Sequence, residues 1–153
     1  MPFTLTSSAF QEGAIIPNTH TCSGQDVSPP LQWIAPPKDT QSFTLIMDDP
    51  DAPIGTWVHW VMFNIPGHTS SLPEGVPPKK SLPTGELQGI NDFKRIGYGG
   101  PCPPQGIPHR YYFKLYALDS PLKLQPGVTK AEVLAACQNH ILAETHLMGR
   151  FGR

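Results

Sequence analysis

The chain has 153 residues with a formal net charge of −1, and charged side chains make up 15% of it. This length suits one domain with one substantial core, placed here over residues 1–153, and the balanced charge excludes the basic footprint of a nucleic-acid-binding protein. The 19 prolines and 14 glycines favour many short strands joined by ordered turns, while compact apolar runs exclude disorder.

The N-terminal part of the chain contains two short strand-like segments. Residues 3–10 have strand-like content, and the run Ile15–Ile16 ends at Pro17, which breaks regular structure. From Ser28 to Trp33 the sequence predicts a loop that leads into a short strand. The prolines of this segment stand at its start, where no ladder hydrogen bond is lost.

Three later segments predict longer strands. In Ser42–Asp48, apolar side chains recur at every second position and share one face of the strand. Thr56–Asn64 is apolar on both faces, which indicates a central strand that is covered on each side. Arg110–Leu118 is the third such strand, and it is ended by Asp119, Ser120 and Pro121.

The remaining regions predict ordered loops and one helix. Between Pro66 and Gly106, proline or glycine recurs every few residues, which predicts ordered loops with a hairpin at most, and no helix. Thr129 followed by Glu132 forms a capping-box pattern at a helix start. An apolar stripe at helical spacing follows, and Gly149 closes it; the stripe comprises Leu134, Cys137, Ile141 and Met148.

The three cysteines and the sequence of the N-terminus bear on the cellular compartment of the protein. Cys137 has the pattern of a small buried apolar residue. Cys22 and Cys102 lie in turn-rich stretches, and the sequence leaves open whether they form a disulfide or are free thiols, as is usual in a reducing cytoplasm. The N-terminus has no targeting pattern and no apolar run approaches a membrane span, so we expect a cytoplasmic location.

Three segments carry residues that are suited to chemistry. The turn from Asp48 to Pro53 holds its carboxylates between prolines that fix the backbone. His59 lies within a strand that is buried on both sides. The stretch from Tyr98 to Tyr111 is a Gly/Pro-rich loop that runs into a strand starting with His109 and Arg110, a combination that can present donors to an anion.

Each segment alone fits a purely structural role, but together they resemble a known family. Two signature regions of the phosphatidylethanolamine-binding protein family are similar to Asp49–Pro53 with His59–Trp60 and Asn64–Pro66, and to Gly100–Tyr111. Its bacterial and archaeal branch, often called Raf-kinase-inhibitor-like, is similar at Thr21–Gly24, Ser28–Trp33 and Tyr116–Asp119. The resemblance runs from about Phe3 to Gly152, with the motifs in order.

The resemblance implies a mostly β fold, with a large antiparallel sheet packed on a smaller one and a C-terminal α-helix alongside. It also implies a pocket for phosphate-like anions or a phosphoethanolamine headgroup, and a homodimer. The residues that would line the pocket are Asp49, His59, Pro104, His109 and Tyr111, with Asp51 as a neighbour. The chain is short after the predicted helix compared with animal members, so the resemblance alone does not imply their lipid affinity or kinase regulation, whereas it still implies the pocket.

The chemistry of these residues agrees with non-enzymatic ligand binding that needs no cofactor. A carboxylate beside two imidazoles suits a zwitterion, with its ammonium toward Asp49 and its phosphate toward His59 and His109. Tyr111 and the proline rim would then pack against the carbon atoms of the ligand. We therefore expect affinity for a phosphate-bearing ligand to rise as the pH falls through the histidine range.

Other functions remain alternatives. A hydrolase could draw a hydroxyl from Ser23 or Ser28, although no nucleophile-elbow pattern is present. A metal could be held by Asp49, His59 and His109, although their spacing matches no ligand signature. His140 and Glu144, one turn apart on the predicted helix, indicate a surface pair. The strongest alternative is a kinase or protease inhibitor, or a scaffold, that acts through its protein surface.

Overall fold

Eight strands form two antiparallel sheets, accompanied by one α-helix and one short 3-10 helix, in the computed structural model, which describes residues 1–153. In chain order they are β1 (Thr4–Thr6), the 3-10 helix (Asn18–His20), β2 (Leu31–Ile34), β3 (Ser42–Asp49), β4 (Trp57–Pro66), β5 (Ser71–Leu72), β6 (Leu87–Gln88), β7 (His109–Leu118), α1 (Lys130–Cys137) and β8 (Ile141–Phe151). None of these helices has the length and apolar character needed to cross a membrane.

The predicted sheet-on-sheet arrangement is confirmed. The large sheet has the strand order β6-β4-β3-β7-β8, and the small sheet has the order β1-β2-β5. All strand pairs within them are antiparallel. The region from Pro66 to Gly106 contains only the two-residue strands β5 and β6 and isolated bridges, and it contains no helix, as predicted.

The two faces of the large sheet are both buried, which explains the near-continuous apolar runs of β3 and β4. Every residue of β3 is buried, and Phe43, Leu45 and Met47 share the face toward the small sheet, as predicted. There the ring of Phe43 meets Trp33 of β2 at 5.3 Å between centroids. Burial of each such side chain stabilises the fold by roughly 1.5–3 kcal/mol. The opposite face packs against Val133 of α1.

Strand β4 is covered on each side, as its sequence predicts. Trp60 and Met62 belong to the core between the two sheets. Val61 and Phe63, which point the other way, belong to a second core closed by α1 and the segment that precedes it. This second core also contains Cys137, which is buried and not disulfide-bonded, so its predicted role as a small apolar residue is confirmed.

The predicted helix begins as expected, but the observed helix has 8 residues and ends well before Met148. The capping box is present, because the hydroxyl of Thr129 accepts the N–H of Glu132 and the Glu132 carboxylate accepts the N–H of Thr129. The helix ends at Cys137, however, and Asn139 adopts a φ of 68° that redirects the chain. Ile141–Met148, assigned to the helix from sequence, belongs instead to strand β8 (Ile141–Phe151).

Pairing with β7 is the physical reason for this correction. Strand β8 pairs with β7 along nearly its whole length, from Leu118 opposite Ile141 to His109 opposite Phe151. The prediction that His140 and Glu144 lie one turn apart on a helix was therefore wrong. His140 precedes β8, and its Nδ1 lies 2.8 Å from the Asp119 carboxylate.

The alternative left open for two cysteines is resolved. Cys22 and Cys102 form a disulfide that joins positions 80 residues apart in sequence, with their Cα atoms 5.3 Å apart. The disulfide fastens the loop after the 3-10 helix to the Gly/Pro-rich loop before β7. The N–H of Cys22 also donates to the carbonyl of Pro101 at 3.0 Å, so both the backbone and the side chains hold these loops together.

Candidate functional site

A cavity of about 320 Å³ lies at one end of the large sheet. Strand β3 ends there at Asp49, beside the start of β4 and close to the start of β7, because β3 is antiparallel to both neighbours. The cavity is lined by Asp49, Ala52, Pro53, Ile54, Trp57, His59, Phe93, Cys102, Pro103, Pro104, His109 and Tyr111. Antiparallel pairing thus brings together three segments that are distant in sequence.

Five of the six predicted site residues line the cavity, namely Asp49, His59, Pro104, His109 and Tyr111. The sixth, Asp51, does not line it. Its carboxylate instead forms a two-pronged ion pair with the guanidinium of Arg110, with both N–O distances at 2.9 Å. This hydrogen bonding lowers the pKa of Asp51 to about 2. Asp51 therefore fastens the turn after β3 to the first residues of β7, next to the cavity.

Asp49 orients His109. Nδ1 of His109 donates to one carboxylate oxygen of Asp49 at 2.7 Å, and the other oxygen accepts the backbone N–H of Asp51, also at 2.7 Å. Because each oxygen already has a donor, Asp49 is less available to a ligand ammonium than the sequence hypothesis assumed. Its role is to fix the imidazole so that Nε2 of His109, which has no protein partner, is left for a ligand.

His59 is held in the same way by a backbone carbonyl. Its Nδ1 donates to the Gly99 carbonyl at 2.6 Å, so Nε2 is again the atom without a protein partner. The ring lies between Phe93 and Tyr111, with centroid distances of 5.3 and 5.2 Å. Burial lowers the pKa of His59 below its usual value, although the Gly99 carbonyl and the Asp49 carboxylate oppose this shift. The imidazole is therefore neutral at pH 7 when no anion is bound.

Tyr111 contributes a buried hydroxyl that lies beside the Asp49 carboxylate but makes no well-formed hydrogen bond. The side chain is 0% exposed and its oxygen makes no hydrogen bond within the protein. Burial, with the nearby Asp49 carboxylate, raises the pKa of Tyr111 well above its usual value, so the group stays protonated and can donate. A buried hydroxyl without a partner costs about 1–3 kcal/mol. This cost is removed if a ligand oxygen occupies the cavity.

The Gly/Pro-rich loop is anchored so that it can form one wall of the cavity. The N–H of Gly100 donates to the Asp26 carboxylate at 2.8 Å, and Cys102 is tied to Cys22. The next residues, Pro103 and Pro104, have fixed φ values and line the cavity directly. Sequence reasoning identified this loop, but it gave no sign of Asp26 as its anchor.

Two aromatic residues complete the site, and the sequence signalled only one of them. Trp57 is close to His59 in sequence, so its position beside the cavity follows from the strand. Phe93 comes from the irregular region, where no pattern singles it out, yet its ring packs edge-on against Trp57 with a centroid distance of 5.6 Å. Together they give the cavity an apolar wall beside its polar end.

The residues considered for other chemistries are placed differently. Ser23 and Ser28 do not line the cavity, and the Ser28 hydroxyl accepts the N–H of Val76 at 2.9 Å. The chain has no group of three or more His, Cys, Asp or Glu side chains arranged to hold a metal ion.

Comparisons with known proteins agree with this fold. The family model described as phosphatidylethanolamine-binding protein matches residues 6–152. A UPF0098 protein of Methanothermobacter thermautotrophicus is 49% identical over 149 residues, covering 97% of this chain and 98% of its own. One from Aquifex aeolicus is 48% identical over 149 residues, covering 96% of this chain and 86% of its own.

Two solved structures are similar throughout. The phosphatidylethanolamine-binding protein homologue CT736 of Chlamydia trachomatis superposes with a TM-score of 0.90 at 40% identity, covering 99% of this chain and 97% of that one. YbcL of E. coli, described as a new member of the mammalian PEBP family, superposes with a TM-score of 0.92 at 33% identity, covering 100% of this chain and 99% of that one.

Proposed function

The chain belongs to the phosphatidylethanolamine-binding protein family as a bacterial- or archaeal-type member, and from this premise we propose that it is a non-enzymatic binding protein. Its ligand is a phosphate-bearing small molecule or a phospholipid headgroup of the phosphoethanolamine type. The ligand enters the cavity at the end of the large sheet, with its phosphate at the polar end and its carbon atoms against Trp57 and Phe93.

The observation that supports this proposal is a convergence of atoms that have no protein partner. They are Nε2 of His59, Nε2 of His109 and the hydroxyl of Tyr111, and all three residues line one cavity. Each can donate to an oxyanion when the imidazoles are protonated. A phosphate offers several acceptor oxygens, so it can satisfy donors that come from different directions.

No catalytic role is proposed. The histidines are held through Nδ1 by a carbonyl and a carboxylate, an arrangement that suits general-base chemistry as well as binding. The cavity, however, has no serine or threonine hydroxyl among its lining residues, and its one cysteine is in a disulfide. A covalent route through a side-chain nucleophile of these types is therefore not favoured.

The first test is the substitution His109→Ala. Because it removes a donor that is charged when protonated, we expect the affinity for O-phosphoethanolamine to fall by about 10-fold to 100-fold. Isothermal titration calorimetry measures this directly. His140→Ala is a matched control, because His140 is also paired with an aspartate at 2.8 Å but does not line the cavity. Equal affinity of His109→Ala and wild type would contradict the proposal.

The second test is the pH dependence of binding. Burial keeps the pKa of His59 below its usual value in the free protein, and a bound anion favours the imidazolium. Affinity for glycerophosphoethanolamine, whose diester phosphate does not titrate here, is expected to rise several-fold from about pH 8 to about pH 5. Binding should take up protons, and His59→Asn should reduce this uptake. Equal affinity at every pH in this range would contradict a role for the His59 imidazole in binding the phosphate.

Kinase or protease inhibition through the protein surface, and homodimer formation, stay predictions from the family resemblance. The same variants separate these roles. If His109→Ala removes activity toward a protein target while the fold is retained, the cavity is part of that activity. If only substitutions on the surface remove it, the inhibitor role is independent of the ligand.

A further inference from the structure

Negative charge surrounds the cavity, although its proposed ligand carries a phosphate. The lining includes Asp49 but neither Lys nor Arg. Two further carboxylates stand behind the walls, since Asp26 accepts the N–H of Gly100 at 2.8 Å and Asp92 accepts the N–H of Val58 at 2.7 Å. Like charges repel, and they do so most strongly where water is displaced. A phosphate in this cavity therefore needs a compensating positive charge.

The two histidines of the cavity supply little of this charge at neutral pH. Burial lowers the pKa of His59, so its imidazole is neutral in the free protein. When His109 is protonated, its charge is balanced by the Asp49 carboxylate, which lies 2.7 Å from Nδ1, so this pair has no net charge. Protonated imidazoles can donate to a phosphate, but they give the cavity no fixed positive charge.

Arg153 is fastened to one wall of the cavity. Its Nε donates to the carbonyl of Pro103, a lining residue, at 2.7 Å, and its own carbonyl accepts the N–H of Gly106 at 3.2 Å. Strand β8 sets this position, because Phe151 lies opposite His109 in the register and Arg153 follows two residues later. Arg153 does not line the cavity itself, but it lies directly behind the proline rim.

The charge of Arg153 is uncompensated and acts on the cavity. It forms no ion pair with a carboxylate, in contrast to Arg110, which is paired with Asp51. Burial and the Asp49 carboxylate raise the pKa of Tyr111, and the positive charge of Arg153 opposes them. Since Nε is engaged with the backbone, the two terminal NH2 groups of Arg153 have no protein partner. A guanidinium in this state can hold two phosphate oxygens at once.

We propose that Arg153 is a further ligand-binding residue, which reaches past Pro103 to hold the phosphate at the cavity mouth and selects phosphate monoesters over diesters. A monoester has three unsubstituted oxygens and carries nearly two negative charges above its second pKa of about 6, whereas a diester has two such oxygens and one charge. The guanidinium, the two imidazoles and the Tyr111 hydroxyl together offer more donors than a diester can satisfy. This inference rests on the proposed function, because it concerns the ligand of the same cavity.

A purely structural role for Arg153 leads to a different expectation. If its bond to Pro103 only held the wall in place, a substitution would weaken the binding of every ligand by the same factor. Recognition of charge weakens the binding of a dianion more than that of a monoanion, because the Coulomb energy is proportional to the charge of the ligand. The ratio of the affinities for a monoester and a diester therefore separates the two roles.

The test is calorimetric titration of wild type and Arg153→Gln at about pH 8, where ordinary imidazoles are neutral. O-phosphoethanolamine is the monoester probe and glycerophosphoethanolamine is the diester probe. We expect Arg153→Gln to lower the affinity for the monoester by about 30-fold, and the affinity for the diester by about fivefold at most. Arg153→Lys should have intermediate affinity for the monoester, because it keeps the charge but loses the planar fork of donors.

Arg150→Gln is the matched control. Arg150 also donates through Nε to a backbone carbonyl, that of Gly13 at 2.8 Å, and it has no carboxylate partner. Its side chain, however, alternates with those of the buried residues Gly149 and Phe151, so it lies on the face of the large sheet away from the cavity. Arg150→Gln should therefore bind both probes like wild type.

The outcomes separate this inference from the proposed function. Equal affinity of wild type and Arg153→Gln for O-phosphoethanolamine, or an equal loss for both probes, overturns the role of Arg153 and leaves the cavity as a binding site. Wild type that binds O-phosphoethanolamine at about pH 5 but not at about pH 8 has the same meaning, because the histidines then supply all the charge. Failure of wild type to bind either probe at any pH contradicts the proposed function, and the role of Arg153 with it.

Discussion

Replacing Cys22 and Cys102 together by serine is expected to lower the free energy of unfolding by about 4 kcal/mol. The bridge closes a loop of 80 residues, more than half of the chain, and so strongly restricts the unfolded state. For a domain of this size the melting temperature should fall by about 10 °C. Chemical denaturation followed by tryptophan fluorescence, with a thermal scan beside it, measures both quantities.

Two controls test whether the Cys22–Cys102 disulfide itself causes this loss of stability. Wild type treated with a dithiol reductant should approach the stability of the double variant, and the double variant should not respond to the reductant. Because Cys102 lines the cavity, both reduced wild type and the double variant should also bind O-phosphoethanolamine more weakly. A denaturation midpoint that is the same in all these samples would contradict the assigned stabilising role.

The sequence predicted the strands that build the sheet but not the one that completes it. The apolar pattern of each of the strands β3, β4 and β7 can be recognised within that strand's own sequence. Their bounds were predicted within two residues. Strand β8 is different, because its inward residues Leu147, Gly149 and Phe151 alternate only over a short stretch. The decisive factor is its pairing with β7, a contact between distant segments that a local period cannot reveal.

The candidate site, like the fold, could be predicted from the sequence only in part. Asp49, His59, His109 and Tyr111 were predictable because they occupy motif positions, and antiparallel pairing of their strands brings them together. The details that set their chemistry were not predictable, since each depends on a tertiary partner. The Gly99 carbonyl fixes the orientation of the His59 imidazole, and Arg110 forms an ion pair with Asp51 outside the cavity. Phe93 reaches the site from an irregular region with no periodic pattern.

Gly100→Ala is expected to cost about 3 kcal/mol of stability and to abolish binding of O-phosphoethanolamine. A Cβ on Gly100 would overlap the Asp26 carboxylate and the backbone carbonyl of His20, so the loop has to move. Overpacking of this kind costs about 1–3 kcal/mol, and loss of the buried Gly100 N–H hydrogen bond to Asp26 adds about 1 kcal/mol. Chemical denaturation and calorimetric titration of the same sample measure the two effects.

The effect on binding follows from what the loop holds. The Gly99 carbonyl accepts a hydrogen bond from Nδ1 of His59, and Pro104 lines the cavity. Displacement of Gly100 therefore disturbs both the imidazole that would bind the ligand and one wall of the cavity. Gly106→Ala is the control in the same loop, because its added methyl group would meet open space. With a φ of 137° it should cost only about 1–2 kcal/mol and leave binding in place. If Gly100→Ala bound O-phosphoethanolamine as Gly106→Ala does, the loop from Gly99 to Pro104 would not be the element that positions His59 for the ligand.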